Sequence, residues 1–183
     1  MRTALALPAL LLLAACTRGE PVLTKREAER DIKKDYPVVV PLRIPEKASP
    51  LRGSPEQARL QKLQEVVVKA GWFAVFKEDA GDRETVSFKP TPKAPQDLQT
   101  MPKGWQVPVA QAEFVKALRM EPTRDGAKVA YQIRLAKPTA HFPLFKAIYG
   151  ANIGDTKERR AVYRKEGRDF ILQDTDEAFR KPE

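Results

Sequence analysis

The chain has 183 residues, and its 33 lysines and arginines against 24 aspartates and glutamates give a net charge of +9. One cysteine, Cys16, and one histidine, His141, exclude a disulfide framework and are too few for a zinc site of three or four ligands. The length suits a single domain, because a chain of about 165 residues buries roughly 70% of its unfolded surface.

The N-terminal segment has the features of an export signal. Arg2 precedes an uncharged stretch, residues 4–15, that is about half the length needed to cross a bilayer. The stretch leads into the tetrad Leu13-Ala14-Ala15-Cys16, which resembles the lipobox of bacterial lipoproteins. The resemblance implies cleavage before Cys16, a thioether link from Cys16 to diacylglycerol, and acylation of the new N-terminus.

The residue after Cys16 indicates which membrane would hold the protein. In the lipoprotein pattern, an aspartate there retains the protein in the inner membrane, and this chain has Thr17. The resemblance therefore implies the periplasmic face of the outer membrane, held by several acyl chains, which make a durable anchor. The alternative for Cys16 is a free cysteine, either buried or near the cleavage site by chance. Removal of residues 1–15 takes away Arg2 and leaves a net charge of +8.

Residues 16–53 are predicted to be a lipidated N-terminus and a proline-rich tether that holds the domain off the membrane. Thr24 and Glu27 have the spacing of a capping box, but residues 28–35 are mostly charged, which predicts a short and solvated helix. Four prolines then follow at close intervals, which favours an extended arm in which residues 38–40 form one strand at a sheet edge.

Residues 54–174 are predicted to form the globular domain, followed by a polar tail over residues 175–183. Ser54, Pro55 and Gln57 form a strong helix start, and Gly71 ends the helix. The apolar residues between them recur at helical spacing: Leu60, Leu63, Val67 and Ala70. The apolar cluster that follows, residues 72–76, is predicted to pack on this helix, with an aromatic binding platform as the alternative.

The second half of the domain is rich in predicted strands. Residues 84–89 alternate, residues 90–104 form a long proline-rich loop, and residues 114–120 favour a strand that pairs with residues 128–135. A short helix over residues 143–149 precedes a second hairpin, residues 160–164 with residues 169–173. The fold class is α+β: one capped N-terminal helix packed on an antiparallel sheet of hairpins, with a second short helix.

Over residues 55–172 the order of features resembles that of uncharacterised proteobacterial lipoproteins. The shared features are a capped helix that ends in Ala70-Gly71-Trp72-Phe73, the alternating stretch from Val129 to Leu135, and a final basic hairpin. This resemblance implies no activity and no catalytic residues.

Catalytic and cofactor motifs are sparse. Hydrolases of the Ser/His/Asp or Cys/His type need a histidine, and His141 lies before a short helix, where a surface or capping role is the more common one. The glycines are scattered singly, so no phosphate loop is predicted. A glycosidase with two carboxylates needs no motif and stays open. We expect no metal, no cofactor and no enzymatic activity.

The positive charge is concentrated in the last two predicted hairpins. A basic patch is predicted from eight residues: Lys128, Arg134, Lys157, Arg159, Arg160, Arg164, Lys165 and Arg168. Such a patch attracts an acidic protein, anionic lipid headgroups or an anionic cell-wall polymer. The inferred compartment argues against nucleic acid. The alternative is a soluble surface of mixed charge that binds nothing.

Three functional hypotheses follow, of which an envelope hydrolase that depends on His141 ranks last. The first is a membrane-anchored, non-enzymatic binding module for an envelope protein or an anionic envelope component. The second is an inhibitor or immunity-type lipoprotein that blocks a toxin or hydrolase with a protruding loop, for which residues 90–103 are the candidate.

Overall fold

The computed structural model of the protein describes residues 21–175, which fold into three helices and two antiparallel sheets. The larger sheet has the order β1-β6-β7-β8-β9, with β5 also paired to β6, and the smaller sheet has the order β2-β4-β3. In chain order the elements are α1 Lys25–Lys34, β1 Val38–Pro45, β2 Lys47–Ala48, α2 Pro55–Lys69, β3 Phe73–Ala80, β4 Arg83–Pro90, β5 Gln99–Met101, β6 Gly104–Thr123, β7 Gly126–Ala136, α3 Phe142–Tyr149, β8 Thr156–Glu166 and β9 Asp169–Thr175.

The long strand β6 organises the larger sheet. Its first half pairs with β1 and its second half with β7, and the register of the β6–β7 pair shifts twice, at Val115 and at Leu118. Such bulges add a residue on one strand and bend it, which lets one strand of 20 residues serve two partners. Because β7 continues to β8 and β9, the two predicted hairpins, β6–β7 and β8–β9, share one sheet.

One face of the larger sheet forms the core. Along β7, Val129, Tyr131 and Ile133 are buried while Lys128 and Arg134 are exposed, as the alternating sequence predicts. The equivalent inward residues of β8 are Ala161 and Tyr163. We call the opposite, solvent-facing side of β6–β9 the outer face.

The first helix belongs to the core, so the predicted tether is wrong from Leu23 onward. Thr24 and Glu27 form the capping box, and Ala28 and Ile32 are fully buried. Two apolar positions one turn apart are enough to place one side of α1 on the sheet. The sequence has too narrow an apolar stripe to reveal this contact.

Strand β1 also extends beyond the predicted three residues. It lies at the edge of the larger sheet, and its alternating residues Val38, Val40, Leu42 and Ile44 are buried. Edge strands and bulges tolerate prolines, and the register shifts where Pro41 enters the strand. Pro41 and Pro45 therefore lie within a strand and not in an extended arm.

The mixed helix-and-antiparallel-sheet fold is confirmed, but the single N-terminal helix is not, because α1 and α2 both precede the first hairpin. At the start of α2 the Ser54 hydroxyl accepts a hydrogen bond from the Gln57 N–H (3.1 Å), and the Gln57 side chain accepts one from the Gly53 N–H. The predicted strand over residues 84–89 is β4, which pairs with β3 in the smaller sheet and not with the later hairpins.

Candidate functional site

The outer face presents a row of charged side chains across three strands. Residues paired directly across an antiparallel ladder share a face, and Arg119 of β6, Ala130 of β7 and Arg160 of β8 are paired in this way. Ala130 is only 8% exposed although it faces outward. The row therefore has a small, shielded residue at its centre and an arginine on each side.

Further basic residues surround this row. Lys128 lies two residues from Ala130 on the same strand, and Lys116 is paired with Gln132 in the next row. Within residues 21–175, neither of these lysines nor Arg160 forms an ion pair with another side chain. We define the basic face as six residues of the outer face: Lys116, Arg119, Lys128, Arg134, Arg160 and Arg164.

Acidic residues neutralise part of the basic face. Arg134 lies 3.1 Å from Glu113, whose other oxygen is 3.6 Å from Lys137, and the hydrogen bond from Arg134 is the main reason that the pKa of Glu113 is lowered. Arg119 pairs with Glu121 at 2.7 Å, and Arg164 pairs with Glu166. The unneutralised charge is therefore concentrated around Ala130.

Nothing in the described part of the chain covers the outer face. Val162 and Ile171 both lie on it and are each 41% exposed. The first helix packs on the opposite side of the sheet, where its Glu29 carboxylate accepts a hydrogen bond from the Ala117 N–H at 3.0 Å. An uncovered sheet face with a cluster of unpaired cations around Ala130 and two exposed apolar residues is suited to binding a larger partner.

The eight predicted basic residues do not form one surface. Register places Lys128, Arg134, Arg160 and Arg164 on the outer face. Lys157 and Arg159 belong to the opposite face, where they line a groove of about 330 Å³ between α3 and the sheet. Lys165 is also on that face, and Arg168 lies in the turn between β8 and β9. Successive residues of a strand lie on opposite faces of the sheet. The predicted patch combines odd-numbered and even-numbered positions of β8, so its members divide between the two faces.

Two members of the basic face, Lys116 and Arg119, were missed by the sequence analysis. Both come from β6, in which the bulges at Val115 and Leu118 reset the alternation. Counting outward from the turn over residues 123–126 pairs Glu121 with Lys128 and Arg119 with Ala130 correctly, so the sequence could have placed Arg119. The count fails beyond the bulge at Leu118, before Lys116 is reached. No local feature of the sequence marks either bulge.

His141 makes contacts that explain its position. Its Nε2 atom lies 3.1 Å from Asp97 Oδ1, and its ring meets Trp72 edge-on with the centroids 5.0 Å apart. The Thr139 hydroxyl accepts a hydrogen bond from the His141 backbone N–H and donates to the Pro108 carbonyl, so this hydroxyl is not directed at the imidazole. The expectation of no enzymatic activity stays a prediction.

The proline-rich loop is attached to the domain at several points. The Thr91 hydroxyl donates to the Gly71 carbonyl, and the Thr91 N–H donates to the Trp72 carbonyl at 2.9 Å. Further along, Leu98 packs against the core, and β5 pairs with β6. The loop therefore follows the surface of the fold. The inhibitor hypothesis stays a prediction without a protruding segment to carry it.

Two features of residues 21–175 concern metal binding and membrane spanning. Between residues 21 and 175, no three His, Cys, Asp or Glu side chains are grouped so that they could hold a metal ion. None of the three helices there is long and apolar enough to cross a membrane. The lipobox residues lie outside the described residues: Leu13, Ala14, Ala15 and Cys16.

Comparison with known proteins finds no match. The chain matches no protein family model, no curated protein sequence and no solved structure.

Proposed function

We propose that this protein is a lipid-anchored bacterial envelope lipoprotein whose basic face binds an acidic protein in the same compartment. The lipobox-like tetrad that ends at Cys16 supports the anchor, and Thr17 in place of aspartate supports the periplasmic face of the outer membrane. The observation that carries the binding role is the uncovered cluster of unpaired cations around Ala130, which consists of Lys116, Lys128 and Arg160. No cofactor takes part in this role.

The charge pattern favours a protein over a uniform polyanion. Glu113, Glu121 and Glu158 alternate with the cations on the same face, and each would repel a densely charged polymer or lipopolysaccharide phosphate. A protein surface can match such a pattern, and it can also cover the exposed Val162 and Ile171. Anionic polymer is therefore the alternative outcome of the test.

Site-specific crosslinking in native envelopes tests this proposal. A photoreactive residue at Val162 lies on the basic face, and one at Val68, which is exposed on α2, is the matched control. We expect one acidic protein to crosslink to position 162 and not to position 68. Equal capture by both positions, or capture of anionic polymer alone, would contradict the proposal.

Charge reversal then tests the mechanism. Lys128→Glu with Arg160→Glu should lower the yield of the crosslink at position 162 by roughly tenfold, since two surface charge pairs at about 0.5–1 kcal/mol each give that factor. Lys62→Glu with Lys69→Glu on α2 makes the same change in net charge and should leave the yield unchanged. Binding that is insensitive to both pairs and to salt would rule out recognition by the basic face.

A further inference from the structure

The chain enters the described fold next to the tips of two hairpins. Leu23 is buried, and Val22 lines a cavity of about 390 Å³ together with residues of the β6–β7 and β8–β9 hairpins. The two tips are joined, because the Lys165 N–H donates to the Asp125 carbonyl at 2.9 Å. The start of α1 and both hairpin tips thus form one end of the domain.

The distance to Cys16 limits where this end can lie. Cys16 precedes Pro21 by five residues, which span at most about 17 Å when fully extended. Strand β7 alone has 11 residues, Gly126–Ala136, and its ends are about 33 Å apart. If Cys16 carries a lipid, only the end that contains Gly126 can be held close to the membrane, and the long spacer predicted from the prolines does not exist.

The chemistry of this end suits the interface of a bilayer. Val22 is 70% exposed, Pro122 is exposed, and Met120 and Phe170 line the same cavity. Apolar side chains of this kind bury themselves at the boundary between headgroups and acyl chains. Arg124 also lines the cavity, and a guanidinium at a bilayer surface can bind lipid phosphate.

We propose that this end of the domain docks on the lipid bilayer that carries the anchor, with Val22, Met120, Pro122 and Phe170 in the interface and Arg124 at the phosphate level. This proposal rests on the proposed lipidation of Cys16. Docking does not require anionic lipid, because the apolar contacts supply the main attraction. Docking fixes the height of the basic face: Ala130 lies four residues beyond Gly126, about 13 Å above the tips.

Depth-dependent quenching tests the docking. The full-length lipidated protein is reconstituted in vesicles of phosphatidylethanolamine and phosphatidylglycerol that contain a nitroxide-labelled lipid, and a fluorophore is attached to a single added cysteine. Pro122→Cys probes the docking end. Ile153→Cys is the control, because Ile153 is exposed and its neighbour Gly154 donates to the Leu135 carbonyl at the far end of β7. We expect quenching at position 122 to exceed that at position 153 by at least threefold.

The controls separate the two proposals. The mass of the Cys16 peptide reports lipidation directly, and an unmodified Cys16 would overturn both the anchor and the docking. A lipidated protein with equal quenching at positions 122 and 153 would overturn the docking alone. Met120→Asp should abolish the difference between the positions without changing the Cys16 mass. Met120→Leu, which keeps the apolar volume, should preserve the difference, and a loss in both variants would also contradict the proposal.

Discussion

The Tyr163 hydroxyl donates a hydrogen bond of 3.3 Å to the backbone carbonyl of Ala28. The two residues are 135 positions apart, one at the middle of β8 and the other on the first turn of α1, and both are buried. A buried phenol needs such a partner, because an unsatisfied hydroxyl in the core costs about 1–3 kcal/mol. The contact ties the N-terminal helix to the strand that carries Arg160.

If α1 belongs to the core, then Ile32→Ala should be strongly destabilising. The side chain is fully buried, and removing its methylene and methyl groups from a core position costs about 2–5 kcal/mol. The measurement is the free energy of unfolding in urea. Ile153→Ala is the matched control, because Ile153 is exposed in a loop and should change stability by about 0.5 kcal/mol or less. Equal effects would mean that residues 25–34 are the tether that the sequence suggested.

The burial of Tyr163 also predicts that the folded protein loses stability in alkali. Burial foremost, and then the negative charges of Asp31 and Asp35, raise the pKa of Tyr163 above its usual value of 10.0. The native state therefore holds the phenol proton more tightly than the unfolded chain does. The resulting stability is complete below pH 10 and is lost as the pH rises above it.

Tyr163→Phe tests this prediction. The variant loses the hydrogen bond to Ala28 and should be about 1 kcal/mol less stable at pH 7. Its free energy of unfolding should then fall less steeply than that of the wild type as the pH rises above 10. Parallel curves for the two proteins would show that the phenol of Tyr163 titrates no differently in the native state.

The elements that the sequence predicts well are those in which one short-range pattern acts alone. Strand β7 is recognisable because Val129, Tyr131 and Ile133 alternate with other residues, as expected for a strand with one buried and one solvent-exposed face. The start of α2 is recognisable because Ser54 and Pro55 satisfy the local requirements of a helix N-terminus. Neither pattern depends on what the element packs against.

The elements that the sequence misses are decided by distant partners. Helix α1 buries only Ala28 and Ile32. Which side of the helix is buried is decided by its packing near Tyr163, whose hydroxyl donates a hydrogen bond to the Ala28 carbonyl. Strand β1 continues through Pro41 because a strand at the edge of a sheet needs backbone N–H donors on only one side. The basic face was predicted only in part, because the position of Lys116 depends on the bulge at Leu118, which the sequence does not signal.

Glu113 should contribute to stability at neutral pH and lose that contribution in acid. The hydrogen bond from Arg134, assisted by the charge of Lys137, lowers the pKa of Glu113 below its usual value of 4.5. The contribution is therefore present above pH 4.5 and is lost as the pH falls through the lower value of the native state. The carboxyl titration by NMR is the measurement. Arg134→Gln should move the Glu113 pKa up towards 4.5, and an unchanged value would show that the ion pair is not formed in solution.

The β7–β8 ladder should depend on the absence of a side chain at Gly126. A Cβ atom at this position would collide with the backbone carbonyl of Tyr163, and neither strand can move without breaking the register of Gly126 with Arg164. Gly126→Ala should therefore cost about 1–3 kcal/mol, the range for overpacking, and loosen the two tips. Gly167→Asn is the control, because Gly167 has φ of 62° and open space around it, a conformation that asparagine accepts at a cost of about 0.5 kcal/mol or less. Urea unfolding of both variants gives the comparison, and similar costs would show that the strands separate at this point without penalty.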